Sequence, residues 1–409
     1  MIAWLTRIFG PSHLDLAEEV VQDALVKALQ QWPYSGVPEN PGGWLFRVAR
    51  NGALDVLRRN AAFRDRASAI AADLQRTPDP PVPGDAAVDD DELRMVFMCC
   101  HPSLARDARV ALSLKTVGGF SVAEIARAFL TAESTIAQRL VRAKRALREH
   151  QIPFDLPHGS DLNARAESVL EVIYLLFNEG YGAHAGEDLI RRDLCGEALR
   201  LGRLAALSPE VAGNAPAAHA LVALMAFQAA RLPARVDANG EMVLLEDQDR
   251  TRWDHSLVAL GFAHFERSAE GPAISPYHLQ AAIAAVHAGA ATPADTRWPE
   301  ILSLYDQLLA LQPSPIVALN RAVALSRVAG PSAALASLDG LDREPALANY
   351  YLLPSVKAGL LAALGRPRAA ADAYRLALER PCTEPERRFL LKRLTSLENE
   401  ELKTKNLRF

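Results

Sequence analysis

The chain has 409 residues, about half of them apolar, and a formal net charge of −4 at pH 7. That length exceeds one ordinary core and implies two to four domains of about 100–200 residues, while the apolar content excludes a disordered chain. Met1 to Gly10 has no cationic start, long apolar core or small-residue cleavage site, so no signal peptide is expected. The longest apolar run, near Ala220 to Ala230, is interrupted by Gln228 and falls short of the roughly 18–20 residues that span a bilayer. Cys99, Cys100, Cys195 and Cys382 show no disulfide spacing. A soluble, cytoplasmic protein without a membrane partner is expected.

The pattern is helical throughout: Ala, Leu and Arg dominate, apolar residues recur at three and four, and Gly or Pro stand at segment ends. An all-α fold follows. In chain order, Asp15 to Trp32 reads as an amphipathic helix with acids and Gln22 along one side. A Pro- and Gly-rich loop is expected from Pro33 to Gly43. Trp44 to Arg59 then forms a helix with Leu45, Val48, Ala49 and Val56 inward and Arg47, Arg50, Arg58 and Arg59 outward. The stretch DPPVPGDAAVDDDE, Asp79 to Glu92, mixes prolines with acids and reads as a solvated linker. Domain boundaries are expected at 1–77, a linker at 78–92, and a second module at 93–150.

Within that second module, Ser121 and Glu124 are placed as a capping box, and Val122, Ile125, Ala126 and Phe129 form the buried stripe of a short helix. A tight connector with Thr131 as expected N-cap leads into STIAQRLVRAKRALR, residues 134–148, which carries five cations and no anion. At about 100° per residue, Ile136, Leu140, Ala143 and Leu147 share one arc, and Ser134, Gln138, Arg142 and Arg145 lie opposite. Helix, tight turn, helix puts the second helix into a major groove, where its first turns meet base edges and later cations meet phosphates. Glu133, Ser134, Thr135, Gln138 and Arg139 are the expected base readers, and Arg142, Lys144, Arg145 and Arg148 the phosphate contacts. A solvated basic face is the bland alternative. A membrane-surface helix is disfavoured because the apolar face lacks an aromatic anchor.

These segments resemble the extracytoplasmic-function (ECF) sigma factors. Leu16 to Leu25 is similar to the family's acidic D-A-E-D-x-x-Q-E-x-F pattern, Trp44 to Arg58 to W-L-x-x-I-A-R-N-x-x-x-D-x-x-R, and Arg139 to Leu147 to the end of sigma region 4. The resemblance implies that Glu18, Glu19, Gln22 and Asp23 bind the clamp coiled coil of the core RNA polymerase. It implies that the Pro33–Gly43 loop, Trp44 and Arg47, with Arg50, Asn51, Arg58 and Arg59, contact the melted minus-ten element of promoter DNA, and that region 4 reads the minus-thirty-five element. Melting by binding energy needs no catalytic residue and no cofactor, so the chain is not expected to be an enzyme. The family's first helix is longer than Met1 to Phe9, which implies either a start further upstream or a shortened helix.

The remainder resembles an ECF subgroup with a tetratricopeptide-containing extension, through Phe97-Met-Cys-Cys-His-Pro102, Tyr174-Leu-Leu-Phe-Asn-Glu-Gly-Tyr181 and Arg191-Arg-Asp-Leu-Cys195. A helical extension domain is expected over 163–270 and tetratricopeptide-like repeats over 271–400. Ala318 to Ala334 recurs as Leu353 to Ala369, with Gly330 and Gly365 35 positions apart, and such repeats stack into a concave surface for a protein or peptide ligand. Cys99-Cys100-His101 lacks the further ligands a metal site needs, so a packing role is expected and no metal. Asn178-Glu179-Gly180-Tyr181 reads as a helix terminus with Gly180 as C-cap. The alternative to a sigma factor is a helix-turn-helix regulator with a repeat-type effector domain, which needs no region 2; Gln22, Trp44 and Asn51 argue against it.

Overall fold

A computed structural model describes residues 1–59, 85–129, 131–157, 160–182, 191–208, 215–238 and 240–406. These residues are helical with no strand among them, only an isolated bridge between Val236 and Met242, so the fold is all-α. The chain divides into two compact units, one of Met1–Arg127 with Thr131–Val172, the other of Ala128–Leu130 with Ile173–Phe409.

In the first unit, α1 (Ile2–Phe9), α2 (Leu14–Ser35) and α3 (Pro41–Arg59) share one core. Leu16, Ala17, Val20, Val21 and Ala24 recur at helical spacing along α2 and meet Trp4, Leu5 and Phe9 of α1 and Ala49, Ala53, Leu54 and Leu57 of α3. The inward set expected for α3 is there, with Leu45, Val48 and Val56 partly buried against this core. The loop expected over Pro33–Gly43 is shorter. Pro33 lies inside α2, where it forfeits one ladder donor near the helix end, and Gly36, at φ 81°, ends the helix with its N–H on the Trp32 carbonyl at 3.0 Å. Asn40 then starts α3: its Oδ1 accepts from Gly43 N at 2.8 Å and Pro41 takes the first helical position.

A further difference concerns the acidic linker. Residues 78–84 lie outside the described residues, but α4 (Asp85–Cys99) begins inside the segment read as linker. Its second half buries Leu93, Met95, Val96, Phe97 and Met98. α5 (Arg106–Thr116), α6 (Val122–Ala128) and α7 (Glu133–Glu149) follow, and then α8 (Ser160–Tyr181), whose Ala166, Val169 and Leu170 are buried. Arg109 reaches Ser168 Oγ at 2.9 Å and Arg106 reaches Glu171 at 2.6 Å, so the start of α8 is tied into this unit.

The second unit centres on α10 (Ala215–Ala230), buried on almost every side and packed against α9 (Arg192–Leu207), α11 (His255–Ser268) and α12 (Pro276–Gly289). With its continuation to Ala234, α10 is long and apolar enough to cross a membrane, contrary to the shorter run estimated from sequence, yet it lies largely buried in this unit. A buried core helix and a spanning helix share a composition. Gly261 lets α11 approach: a Cβ there would come within 2.6 Å of the Phe227 ring. Gly180 is not a C-cap. It sits within α8, and a Cβ on it would meet Leu194 Cβ at 2.7 Å and the Arg191 carbonyl at 2.8 Å, so the glycine serves close approach to α9.

Beyond α12, helices α13 (Trp298–Leu311), α14 (Pro315–Ser337), α15 (Leu352–Ala363), α16 (Pro367–Leu378) and α17 (Glu384–Asn406) each pack on the next. Gly330, at φ 85°, breaks α14 before Pro331, and Gly365, at φ 69°, separates α15 from Pro367. The recurring sequence block therefore folds twice as helix, left-handed glycine, proline-started helix.

Candidate nucleic-acid interface

α7 folds as its spacing dictates. Ile136, Leu140, Ala143 and Leu147 are buried, and Glu133, Ser134, Gln138, Arg142 and Arg145 are exposed on the opposite side, with Thr135 and Arg139 half-buried. The capping box of the preceding helix is present, with Ser121 N on Glu124 Oε2 at 2.7 Å and Glu124 N on Ser121 Oγ at 3.1 Å. The cap expected at Thr131 is not: Ala132 stands at the N-cap, without a side-chain bond, and Glu133 supplies an acid to the first turn.

The cations of α7 differ in what they touch. Lys144 Nζ lies 2.8 Å from Asp15 Oδ1 and 2.8 Å from Glu18 Oε2 on α2, and Arg148 Nη1 donates to Asp15 Oδ2 at 2.8 Å. Arg139 pairs with Asp107 at 3.3 Å and Arg145 with Glu149 at 2.6 Å. Arg142 is exposed and has no ion pair among the described residues. Burial alone raises the Asp15 carboxyl, but hydrogen bonds and charge from Lys144 and then Arg148 outweigh it and hold the group below the ordinary carboxylate range. Burial likewise lowers the Lys144 ammonium, and Asp15 and Glu18 more than reverse that. Asp15 carries no signal in the sequence beyond being one acid of an acidic helix, and its role here went unread.

Along α2, Glu19, Gln22 and Asp23 are exposed, whereas Glu18 is turned to Lys144. Beside the exposed acids stand Leu25, Val26 and Leu29, the last 77% exposed. An acidic strip flanked by uncovered aliphatic side chains is the composition of a protein docking face. On α3, Arg47, Asn51, Arg58 and Arg59 are exposed and Arg50 is half-buried. Arg58 lies 3.8 Å from Asp55 and Arg59 Nε donates to the Asp55 carbonyl at 3.1 Å. Trp44 is held edge-on against Trp32, centroids 5.5 Å apart, and Trp32 Nε1 is buried without a partner among the described residues.

Cys99 and Cys100 are fully buried under α5, with Cys99 Sγ 3.3 Å from Thr116 Oγ1 and Cys100 Sγ 4.0 Å from Ser113 Oγ. Burial pushes the Cys99 thiol up to about 12 and the Cys100 thiol higher still. His101 turns away to Ser103, Nδ1 to Oγ 2.7 Å. Among the described residues no cluster of three or more His, Cys, Asp or Glu side chains could hold a metal.

The first unit thus sets an acid-faced helix beside an arginine-faced one, followed by a helix-turn-helix whose second helix is basic. Residues 1–63 match the family described as Sigma-70 region 2, residues 94–147 match Sigma-70, region 4, and residues 165–269 match a family of unknown function, DUF6596. An uncharacterized protein of Rhizobium meliloti (strain 1021) is 41% identical over 382 residues, 90% of this chain and 86% of the relative. The ECF RNA polymerase sigma factor SigL of Mycobacterium tuberculosis is 36% identical over 135 residues, 32% of this chain and 72% of SigL. SigX of Bacillus subtilis, also an ECF RNA polymerase sigma factor, is 24% identical over 135 residues, 32% of this chain and 69% of SigX. No solved structure matches. The chain belongs to the ECF sigma factors.

Proposed function

We propose that this sigma factor brings core RNA polymerase to promoters by two faces of its first unit and is regulated through its second. The uncovered strip Glu19, Gln22, Asp23 with Val26 and Leu29 suits a basic, partly apolar clamp surface on the polymerase. Trp44, Arg47, Arg50, Asn51, Arg58 and Arg59 suit single-stranded minus-ten DNA: an aromatic ring to stack a flipped base and cations to follow the backbone. Glu133, Ser134, Thr135, Gln138 and Arg139 then read minus-thirty-five base edges while Arg142, Lys144, Arg145 and Arg148 meet phosphates. The observation that carries this reading is the exposed polar face Ser134, Gln138, Arg142 on a helix whose opposite face is fully docked. Nothing in it calls for a catalytic group or cofactor, and the setting is the bacterial cytoplasm.

Lys144 and Arg148 reach DNA only by leaving Asp15 and Glu18, and Glu18 reaches polymerase only by leaving Lys144. The pairing therefore belongs to the free factor, and core polymerase and promoter compete with it. For the C-terminal part, helices α12 to α17 with their recurring glycine-proline breaks support a tetratricopeptide-like array that takes a protein or peptide segment.

Run-off transcription with purified bacterial core polymerase and genomic promoter fragments tests the function. Specific transcripts dependent on this chain are expected, and Gln138→Ala with Arg142→Ala abolishes them while polymerase pull-down persists. Promoter-specific binding by the chain without polymerase, and no transcripts with it, would instead identify a helix-turn-helix regulator. Because α8 contributes Ala166 and Val169 to the first unit, the regulatory role is tested with a fragment ending at Gly182. Transcription equal to that of the full chain would remove the regulatory reading.

A further inference from the structure

The second unit holds a cluster of nitrogen donors around Trp253 in which neither arginine has an ion pair among the described residues. Trp253 is 5% exposed, and the guanidinium carbons of Arg231 and Arg250 lie 5.8 and 5.1 Å from its ring centroid. Arg231 spends one bond, Nε to Gln248 Oε1 at 3.3 Å, and its two terminal nitrogens bond to none of the described residues. Arg250 closes the end of α12, with Nη1 donating to the His287 carbonyl at 2.7 Å and also to the Ala290 carbonyl, and Nη2 3.4 Å from Thr296 Oγ1. Its Nε is buried without a partner among the described residues. So are Trp253 Nε1 and His287 Nδ1.

No carboxylate pairs with Arg231 or Arg250 among the described residues. Asp295, whose field reaches Arg250, is occupied by Thr292, accepting from its N at 2.9 Å and its hydroxyl at 2.7 Å. Burial, then Arg231 and Arg250, push the His287 imidazole down to about 4, so at neutral pH it is an uncharged donor or acceptor. Arg231 and Arg250 are half-buried, and a guanidinium partly withdrawn from water without a paired carboxylate carries a desolvation cost that a bound oxyanion would offset. The planar fork of arginine matches carboxylate and phosphate oxygens.

We propose that Arg231, Arg250, Trp253 and His287 form a binding site for a small-molecule oxyanion, a carboxylate or a phosphate. It lies in the DUF6596 segment and its flank, and is independent of the promoter-recognition reading. In the alternative the two arginines are only struts stacked on the tryptophan, and an anion makes no difference.

The test is thermal unfolding and tryptophan fluorescence of the full chain at constant ionic strength, with potassium phosphate or potassium acetate replacing potassium chloride. A saturable rise in Tm and a saturable fluorescence change with at least one of the two anions are expected. A response to phosphate alone identifies a phosphoryl ligand, and one to acetate alone a carboxylate. Arg231→Met loses the response and, having shed an unbalanced charge, unfolds in chloride no earlier than the parent. Trp253→Phe keeps an aromatic ring and loses the indole N–H, and by its Tm response binds roughly tenfold more weakly. Neither anion acting beyond chloride, or Arg231→Met and Trp253→Phe responding like the parent, would overturn the proposal.

Discussion

Replacing Lys144 by Met tests whether the contact between α2 and α7 holds the first unit together. Lys144 and Glu18 side chains are each only 12% exposed, whereas Asp15 is 59% exposed and Arg148 43%. Removing one member of a largely buried pair strands the other charge, at about 3–5 kcal/mol for full burial. The exposed Asp15 pairs are screened and contribute under about 1 kcal/mol. Glu18 Oε1 is already buried without a hydrogen bond among the described residues, so losing Lys144 leaves both carboxylate oxygens unpaired among them. With partial solvent access, Lys144→Met is expected to cost about 2–3 kcal/mol. Adding Glu18→Gln removes the stranded charge and returns stability to within about 1 kcal/mol of the parent. Amide hydrogen exchange of α2 and α7 in the full chain reads this directly, as roughly 30- to 160-fold faster exchange in the single variant and near-parental exchange in the double. Unchanged exchange in Lys144→Met, or a double variant as labile as the sum of the singles, would refute the pairing. The pH dependence has a definite sign. The lowered Asp15 pKa gives stability that is present above its unfolded value and lost as pH falls through the folded one; the raised Lys144 pKa gives stability lost only at alkaline pH.

Arg142→Ala alone should weaken promoter binding of the holoenzyme almost uniformly across sequences and reduce the salt slope by about 1, measured by titration over a range of salt; a changed sequence preference would make Arg142 a base reader. Gly180→Ala forces a methyl within 2.7 Å of Leu194 and 2.8 Å of backbone at Arg191 and Cys195, and should destabilise the second unit by about 1–3 kcal/mol in thermal unfolding; an unchanged Tm would refute the close packing. His264 is pushed down to about 4 by burial, then by His219, whose Nδ1 lies 2.8 Å from its own, and His287 is also lowered to about 4. Both are neutral when folded and bind protons when unfolded, so the second unit should lose stability, on the order of a few kcal/mol, as pH falls from about 6.5 to about 4. His264→Gln should flatten part of that slope in pH-dependent unfolding. Cys99 and Cys100 should resist thiol reagents until the first unit unfolds, and labelling as fast as free cysteine would place them at the surface.

How far the sequence could be read depended on whether the information was local. The buried arc of α7, the capping box before it and the inward set of α3 follow from spacing within one helix, and all are as expected. The same periodicity could not tell where α4 starts, because an acidic run serves equally as solvent-exposed chain and as the first turns of a helix. Nor could it tell a turn from a helix at Pro33, where the proline costs one bond near an end that was about to terminate. Gly180 was misread for a related reason: a glycine near a helix end suits a left-handed cap, but here it makes room for α9, and only the partner helix reveals that. The clearest limit is Lys144. On its own helix it is one of five cations on a basic segment, no different from Arg142. What separates them is Asp15 and Glu18, more than a hundred residues away, which engage Lys144 and leave Arg142 exposed. Charge pattern shows which residues can contact phosphate. Only the packing shows which of them are already paired within the protein.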